Sequence, residues 1–426
     1  MTQDWSKRTI GQLARVKSGF AFKSSQWTSS GVPVVKIGNV KPGRLHMDGC
    51  SFVTEADART SGFLLSDGDI LIGLTGYVGE VAKVRESGAF VLNQRVGKFF
   101  PNAGCDEDFL YFLVSNQQFR ERVKVASHGS AQANVSPSAI EALQVLVPPL
   151  PLQRAIAATL TALDDKIELN RLMNDALEAM ARAIFKDWFV DFGPTRAKSE
   201  GREPYLVPEL WELFPDTLDD EDKPVGWEVS EIGKEVEAVG GATPSKKEPS
   251  YWEGGENHWA TPKDLSKLVS PVLLDTERKI TDTAANKISS GILPVGTVLL
   301  SSRAPIGYLA IAEVPTAVNQ GFIAMVCEKR LPNVFVLFWC YENLDHIKSI
   351  SGGSTFAEIS KRTFRPVSVV VPSDQVLISF ETLVRPLYDR IVANTKESSS
   401  LAEARDLLLP RLMSGEIRLA EAQRER

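Results

Sequence analysis

The chain repeats itself, because residues of its first half recur in the same order in its second half. Trp5, Ile10 and Gly11 return as Trp227, Ile232 and Gly233, which is 222 positions later. The same holds further along for Gly68 and Gly79 (Gly296 and Gly307), Asn93-Gln94 (Asn319-Gln320), Gly129-Ser130 (Gly353-Ser354) and Asp165-Lys166-Ile167 (Asp389-Arg390-Ile391). A nearly constant offset indicates a duplicated unit with loop insertions, and its period is far longer than that of solenoid repeats. Two similar halves suggest a ligand that is itself bipartite.

Composition places the chain among soluble globular proteins. Its 426 residues have room for two or three domains, with 43% hydrophobic and 24% charged residues. The four cysteines form no CxxC pair, so neither a disulfide framework nor a zinc site is expected. We see no secretory signal and no run as long as a membrane span, which predicts a cytoplasmic protein.

The charge distribution bears on nucleic-acid binding. The net charge is −6, but residues 1–150 carry +3 while residues 151–224 carry −7. The acidic excess therefore lies outside the first globular half. Because non-specific DNA affinity comes mostly from phosphate neutralisation, we expect that a more basic partner assists if this chain reads DNA.

The pattern of short β-like runs, turns and helices predicts an α+β fold. We predict a first globular domain at 1–150, a long helix at 151–192, a linker at 193–225, a second globular domain at 226–373, and a second long helix with a C-terminal tail at 374–415. One helical stretch is predicted at about 106–124, and the linker is expected to be disordered because it is rich in Asp, Glu, Pro and Gly.

Both predicted long helices carry a heptad stripe. Positions 156, 160, 163, 167, 170, 174, 177, 181, 184 and 188 are apolar except for two asparagines, and the positions 224 residues later are similar. Asn170 and Asn394 occupy the same point of each stripe, where a buried polar residue would fix register. We predict an antiparallel pair that separates the two globular units, giving a pseudo-twofold internal repeat. In the alternative, each helix packs on its own domain and the asparagines face water.

Catalytic motifs are missing from the sequence. There is no phosphate loop, HExxH, GxSxG, metal-spaced His/Cys cluster or NPPF-type methyltransferase run. Pro215-Asp216 followed by Glu221-Asp222-Lys223 resembles a nuclease triad, but these residues fall in the predicted linker. No metal site and no catalytic residue are therefore predicted.

Equivalent glycine-bearing loops in the two halves carry side chains that suit DNA. Arg and Lys can bond guanine, Asn and Gln can bond adenine, and Ser and Thr suit phosphate. The candidate DNA-binding residues are Lys23, Ser24, Thr75, Tyr77, Asn93, Gln94, Arg95, His128, Ser130, Gln132, Thr243, Ser245, Lys246, Lys263, Ser302, Arg303, Asn319, Gln320, Ser354 and Thr355. The glycines are equally explained as turn residues, and the Asn-Gln pairs as internal amides that tie a strand to a loop.

Three strings resemble the specificity (S) subunit of type I restriction–modification systems, and the resemblance covers almost the whole chain. They are 69–79 (DILIGLTGYVG), its fuller form 296–307 (GTVLLSSRAPIG) followed by 319–322 (NQGF), and 185–192 (FKDWFVDF). The last is the most specific. Gly76 stands near the place of Arg303, so a base contact by that arginine cannot be carried over to the first half.

The resemblance implies two target recognition domains, each of which reads one half of a split, asymmetric DNA sequence. It also implies that the helices set the spacing and dock two methyltransferase subunits, with motor–nuclease subunits joining them. Those partners would supply the S-adenosylmethionine, ATP and magnesium chemistry, and this chain would be a non-catalytic reader without a cofactor. The alternatives are a stand-alone nuclease or methyltransferase, and a duplicated protein-interaction scaffold.

Overall fold

The computed structural model describes residues 5–85, 88–127, 133–303, 305–352 and 357–417. The chain divides into two compact units. The first comprises Met1–Lys166 with Ser400–Arg426, and the second comprises Ile167–Ser399. Both mix helices with sheets, which confirms the predicted α+β class.

The first unit contains two main sheets. A four-stranded sheet has the order β10-β9-β12-β2, and a five-stranded sheet has the order β3-β7-β4-β11-β8. The strands are β1 (Ser6–Thr9), β2 (Ala14–Ser18), β3 (Trp27–Thr28), β4 (Val32–Val35), β5 (Val40–Lys41), β6 (Arg44–Leu45), β7 (Ser51–Val53), β8 (Leu64–Leu65), β9 (Ile70–Gly73), β10 (Val81–Lys83), β11 (Phe90–Leu92), β12 (Val96–Pro101) and β13 (Gln144–Val147). β1 pairs with β13, so both ends of the domain share one ribbon.

The helices of the first unit are α1 (Ile10–Leu13), α2 (Glu55–Ser61), α3 (Glu107–Ser115), α4 (Gln117–Val125) and α5 (Pro137–Glu141). The helical stretch predicted at about 106–124 is confirmed, with a break at Asn116 that divides it into α3 and α4. That residue has extended backbone angles, and its side chain accepts a hydrogen bond from the amide of Phe119. It therefore ends α3 and caps α4, as asparagine often does.

The first long helix, α6, spans Leu150–Phe189. Every position of the predicted stripe on it is buried or half-buried, while Leu169 and Met180, which lie off the stripe, are about half exposed. Within the first unit its beginning packs in the core, with Ile156 and Leu160 joined by Leu412. The heptad prediction is confirmed for this helix.

The second unit repeats the sheet order of the first. Its five-stranded sheet runs β15-β22-β19-β20-β17 and its three-stranded sheet β18-β16-β21. The order β15-β22-β19-β20 matches β2-β12-β9-β10, and β18-β16-β21 matches β7-β4-β11, while β17 in the second unit and β3 and β8 in the first have no counterpart in these sheets. The strands are β14 (Glu228–Glu231), β15 (Glu237–Val239), β16 (Asn257–Ala260), β17 (Val272–Leu273), β18 (Lys279–Ile280), β19 (Val298–Ser302), β20 (Ile306–Ala312), β21 (Thr316–Val318), β22 (Phe322–Val326) and β23 (Ser368–Val371).

The second unit's shorter helices are α7 (Gly193–Ser199), α8 (Pro208–Trp211), α9 (Ile232–Glu235), α10 (Pro262–Leu265), α11 (Asp282–Ala285), α12 (Asn333–Glu342), α13 (Leu344–Ser349) and α14 (Lys361–Phe364). The prediction that 193–225 is disordered is wrong. The segment contains α7 and α8, and Trp211 and Phe214 are buried. Phe214 packs 5.0 Å from Trp188, ring centroid to ring centroid, so these apolar side chains outweigh the segment's acidic composition.

The second long helix, α15, spans Asp374–Ser414. Within the second unit it pairs with α6 in antiparallel sense, since Asn170 contacts Ser398 while Phe185 contacts Phe380. The side-chain amide of Asn394 donates to Asn174 Oδ1 at 2.9 Å, and that of Asn170 donates to Glu397 at 2.8 Å. Asn170 and Asn394 are both buried, so the alternative that they face water is excluded.

Candidate nucleic-acid interface

Four loops of the first unit that lie far apart in sequence are hydrogen-bonded to one another. The amide of Phe20 donates to Leu92 O at 2.9 Å, and the amide of Gln94 donates back to Phe20 O at 3.0 Å. The amide of Leu74 donates to Arg95 O at 3.0 Å. We call residues 19–24, 74–77, 93–95 and 133–134 the first loop cluster. The backbone thus brings together candidate residues from separate parts of the sequence.

The last loop of this cluster is joined by a side-chain contact. Thr75 Oγ1 donates to Asn134 Oδ1 at 2.9 Å, and the amide of Gly76 donates to Ala133 O at 2.9 Å. Tyr77 beside them is 57% exposed, and the Nζ atom of Lys41 lies 5.1 Å from its ring centroid. The cluster therefore presents a mixed aromatic, polar and cationic surface.

The second unit builds the same arrangement from equivalent loops. The amide of Ala242 donates to Val318 O at 3.1 Å, and the amide of Asn319 to Ala260 O at 3.0 Å. The amide of Ser302 donates to Gly321 O at 2.8 Å. We call residues 241–247, 260–263, 301–303, 319–321 and 357–359 the second loop cluster. Thr243 Oγ1 donates to Gln320 Oε1 at 2.6 Å and ties two of its loops together.

A glycine starts each cluster because another backbone comes too close for a side chain. A Cβ atom on Gly19 would lie 2.6 Å from Asn93 O, and one on Gly241 would lie 2.8 Å from Val318 Cγ2 and overlap the carbonyl group of Val318. Glycine permits this close backbone approach. These glycines therefore allow the loops that follow them to lie against the Asn-Gln turns. The turn role expected from the sequence does not by itself explain them.

The candidate residues differ in exposure. Those exposed in the two clusters are Lys23, Ser24, Tyr77, Gln94, Arg95, Thr243, Ser245, Lys246, Lys263 and Gln320. Thr75, Asn93, Arg303 and Asn319 are half-buried. Ser302 is 2% exposed at the end of β19, so its hydroxyl lies inside the fold, and its contact with DNA stays a prediction. His128, Ser130, Gln132, Ser354 and Thr355 lie outside the described residues.

Within each Asn-Gln pair, the asparagine and the glutamine have different roles. Asn319 Oδ1 accepts the amide of Gly321 at 2.8 Å, and Asn93 Oδ1 accepts the amide of Arg95 at 3.4 Å. The asparagines shape the turns, as the internal-amide alternative expected. Gln94 and Gln320 are exposed.

The structural repeat identifies the residue of the first unit that is equivalent to Arg303, next to Gly76 in the sequence. Isolated β-bridges join Thr75 to Asn134 in the first unit and Arg303 to Glu358 in the second. Arg303 is therefore matched by Thr75 and not by Gly76. An Arg303 Nη1 to Glu358 Oε2 distance of 3.8 Å makes a loose ion pair where the first unit has a neutral hydrogen bond.

Cations of the second cluster are partly balanced by acids. Glu277 accepts from Lys267 at 2.5 Å and from Lys263 at 3.0 Å. These two hydrogen bonds, that of Lys267 first, lower the pKa of Glu277 to about 2. Lys263 is thus exposed but already paired.

Sequence reasoning missed four residues beside the loops. The indole N–H groups of Trp252 and Trp259 bond the backbone of the loop at 242–247, and Arg278 and Lys36 stack on Trp252 and Trp27, respectively. The available signal was a further repeat, since Ser25-Gln26-Trp27 returns as Ser250-Tyr251-Trp252. Arg278 carried no such signal, because its place beside Trp252 depends on the sheet.

No metal-binding group of His, Cys, Asp and Glu occurs among the described residues. The nuclease-like string contains ordinary ion pairs, since Asp216 pairs with Lys198 and Lys223 with Asp219. No helix in the described ranges is long and apolar enough to cross a membrane.

Comparison with known proteins gives concordant matches. The family described as "Type I restriction modification DNA specificity domain" matches residues 2–179 and 224–379. The type I restriction enzyme HindI specificity subunit of Haemophilus influenzae is 25% identical over 376 residues, covering 77% of this chain and 81% of that one. The MjaIX specificity subunit of Methanocaldococcus jannaschii is 36% identical over 201 residues, covering 47% of this chain and 46% of the relative. A crystal structure of a type I restriction–modification S subunit from M. genitalium is similar in fold, with a TM-score of 0.56, 18% identity and 96% coverage of both chains.

Proposed function

The chain belongs to the type I restriction–modification DNA specificity family, and from this premise we propose how it reads DNA. It is a specificity subunit, the non-catalytic DNA-recognition component of a type I restriction–modification complex. Such subunits assemble into complexes and bind DNA. Each of its two units reads one part of a bipartite, asymmetric target through its own loop cluster.

The observation that supports this proposal most is that the loop cluster is formed twice. In both units a glycine-led loop, an Asn-Gln turn and a strand-end loop are joined by equivalent backbone hydrogen bonds. Their exposed side chains differ, however, with Arg95 in the first cluster where the second has Gly321. One scaffold that carries two different sets of side chains suits a target whose two parts differ in sequence.

The exposed residues divide by chemistry. Gln94 and Gln320 offer both an amide donor and an amide acceptor, which matches the major-groove edge of adenine. Arg95 suits guanine or phosphate, while Lys23 and Lys246 suit phosphate. Phosphate contacts then fix the register of each unit, and the glutamines and the arginine carry the sequence information.

The long helices set the number of base pairs between the two half-sites. The support is their continuity over 40 and 41 residues and their antiparallel pairing within the second unit. The buried Asn170 and Asn394 fix the register of that pair, since shifting it would leave their amides without partners.

The chain acts with partners. Two methyltransferase subunits dock on it and motor–nuclease subunits join them. Those partners bind S-adenosylmethionine, ATP and magnesium, and this chain binds no cofactor. The acidic net charge of −6 supports a need for basic partners at the DNA. The cytoplasmic location stays a prediction.

Footprinting of the assembled complex, combined with mapping of methylated adenines, tests the proposal. We expect two protected clusters that flank a gap of indifferent sequence, and one methylated motif that spans both. A single protected cluster, or none, would refute two-part reading. Methylation by the purified chain with S-adenosylmethionine alone would show instead that it is an enzyme.

The spacer role has its own test. Inserting seven residues into each long helix beside the asparagines adds about 10 Å, or about three base pairs. The gap in the methylated motif should lengthen while both half-sites stay the same. The matched control inserts seven residues at Gly201, which is exposed outside the long helices, and should leave the gap unchanged. An unchanged gap in a folded helix variant would refute the role.

A further inference from the structure

Two tryptophans of the second unit hold the loop at 242–247 by their indole N–H groups. Trp259 Nε1 donates to Ala242 O at 3.1 Å, and Trp252 Nε1 donates to Ser245 O at 3.0 Å. The two rings meet edge to face with centroids 5.2 Å apart. Trp259 is only 3% exposed, so the pair is anchored in the fold. The loop that carries Lys246 is thus fixed near both of its ends.

A cation completes this support. The guanidinium carbon of Arg278 lies 3.6 Å from the ring centroid of Trp252 and 5.6 Å from that of Trp259. Arg278 itself is held just before β18, where its carbonyl accepts the amide of Trp259 at 3.2 Å. A guanidinium stacked on an indole is attracted by the ring quadrupole and restricts the ring's motion. Trp252, which is half-buried, gains from Arg278 the rigidity that burial alone does not give it.

The first unit has a counterpart built from different residues. Trp27 occupies the position of Trp252, and Lys36 Nζ lies 4.2 Å from its ring centroid. Lys36 follows β4 and donates to Ser51 Oγ at 2.6 Å, whereas Arg278 lies just before β18. The duplicated halves therefore both place a cation on this tryptophan, although the cation comes from a different segment in each. A purely packing role would require only the ring.

The two loops are nevertheless held differently. In the first unit the ring of Phe22 packs on Trp27 with centroids 5.9 Å apart and on Phe20 at 4.9 Å. In the second, the tryptophans bond the loop backbone directly. Removing an indole N–H therefore loosens the second loop selectively.

We propose that Trp252, braced by Arg278, is a positioning residue for DNA recognition by the second unit. By holding Ser245 O it keeps Thr243 and Lys246 in one arrangement, so that the loop meets DNA already ordered. This proposal rests on the proposed function of the second loop cluster. Preorganised loops lose less conformational freedom on binding, and an ordered loop also discriminates more sharply between bases.

The test replaces Trp252 with phenylalanine in the full complex with its methyltransferase partners. Trp252→Phe keeps a ring for Arg278 and removes the N–H donor. Binding is measured on duplexes that carry the methylated motif, with single-base changes in either half-site. We expect cognate binding to weaken about threefold to tenfold, the equivalent of one hydrogen bond. Discrimination at the second half-site should fall, and discrimination at the first should not change.

The matched control is Trp211→Phe, which removes a buried indole of the same unit outside the loop cluster. It should change discrimination at neither half-site. If Trp252→Phe discriminates like the wild type, or loses discrimination equally at both half-sites, the positioning role is overturned. If the wild-type complex itself shows no sequence-dependent binding, the proposed function fails instead.

A second variant covers the case in which Trp252→Phe does not fold. Arg278→Met keeps both tryptophans and an apolar stem over the ring while it removes the charge. Hydrogen exchange of the amides at 245–247 in the DNA-free complex should then speed up, while exchange in β19 should not change. Unchanged exchange at 245–247 would overturn the bracing by Arg278, and with it the proposal.

Discussion

The Gly241→Ala substitution, which adds a single methyl group, should separate the loop at 242–247 from the sheet that supports it. The Cβ atom of Gly241→Ala would overlap the carbonyl group of Val318 and lie 2.8 Å from its Cγ2 atom. Val318 belongs to β21, which pairs with β16 and cannot shift freely. The loop must therefore move, and the hydrogen bond from the amide of Ala242 to Val318 O is lost.

The expected cost has two parts. Forcing extra volume into a packed site costs about 1–3 kcal/mol, and a lost backbone hydrogen bond costs about 0.5–1.5 kcal/mol. Together they give about 1.5–4.5 kcal/mol. For a unit of this size each kcal/mol lowers Tm by about 2–4 °C, so the second unit should melt roughly 3–18 °C lower.

The neighbouring Gly240 supplies the control. A Cβ atom there would meet nothing closer than Lys361 Nζ at 3.4 Å, an ordinary contact with the flexible end of a side chain. Gly240→Ala should therefore keep both Tm and DNA discrimination close to wild type. Thermal unfolding and binding to duplexes altered in one half-site measure the two effects. Equal Tm values for the two variants would refute the close-approach argument, and normal discrimination by Gly241→Ala would refute the loop's role in reading DNA.

Three further outcomes are expected. Phe185→Ala, which empties a site in the aromatic core of the second unit, should lower the free energy of unfolding by about 3–5 kcal/mol in urea denaturation, whereas the 53% exposed Met180→Ala should change it by less than about 0.5 kcal/mol. Glu277→Gln frees Lys263 and Lys267 from their ion pairs, so the slope of log affinity against log salt should steepen by about one to two. The pKa of Glu277 is lowered to about 2, so its ion pairs persist above pH 4.5 and break only as the pH falls towards 2. DNA affinity should therefore not change through this group between pH 5 and 8. Asn394→Leu leaves the buried Asn174 Oδ1 without its donor and should lower the free energy of unfolding by about 1–3 kcal/mol in the same denaturation assay. Asn170→Leu should change it by no more than about 1 kcal/mol, because this substitution removes a buried Oδ1 atom that has no partner among the described residues.

The elements that the sequence predicted best are those with strong periodicity. The heptad stripe predicted a helix at 151–192, and α6 spans Leu150–Phe189. The pattern of short β-like runs, turns and helices likewise predicted the α+β class that both units show. These patterns are local, and each reports the burial of one face of one element. The segment 193–225 was misjudged because its composition is acidic, while Trp211 and Phe214 decide its packing.

The loop clusters could be predicted only in part, because their geometry depends on pairing between distant strands. Repetition of the Asn-Gln pair marked one loop in each half, yet only the fold shows that Asn319 shapes a turn while Gln320 is exposed. Arg278 is the clearest limit. It reaches Trp252 through the pairing of β18 with β16, a long-range register that no local pattern reports.

The duplicated scaffold explains how the two readers can differ without losing the fold. Thr75 and Arg303 occupy equivalent strand ends. The neutral Thr75 bonds the neutral Asn134, whereas the cationic Arg303 pairs with the anionic Glu358. A comparable exchange occurs away from the loops, where Arg85 forms an ion pair with Asp164 in the first unit, whereas Glu313 accepts a hydrogen bond from Tyr388 in the second. At both places the side chain that changes keeps a polar partner. Backbone hydrogen bonds and close-packed glycines fix the scaffold, and because they do not depend on these side chains, the recognition chemistry of each half can vary independently.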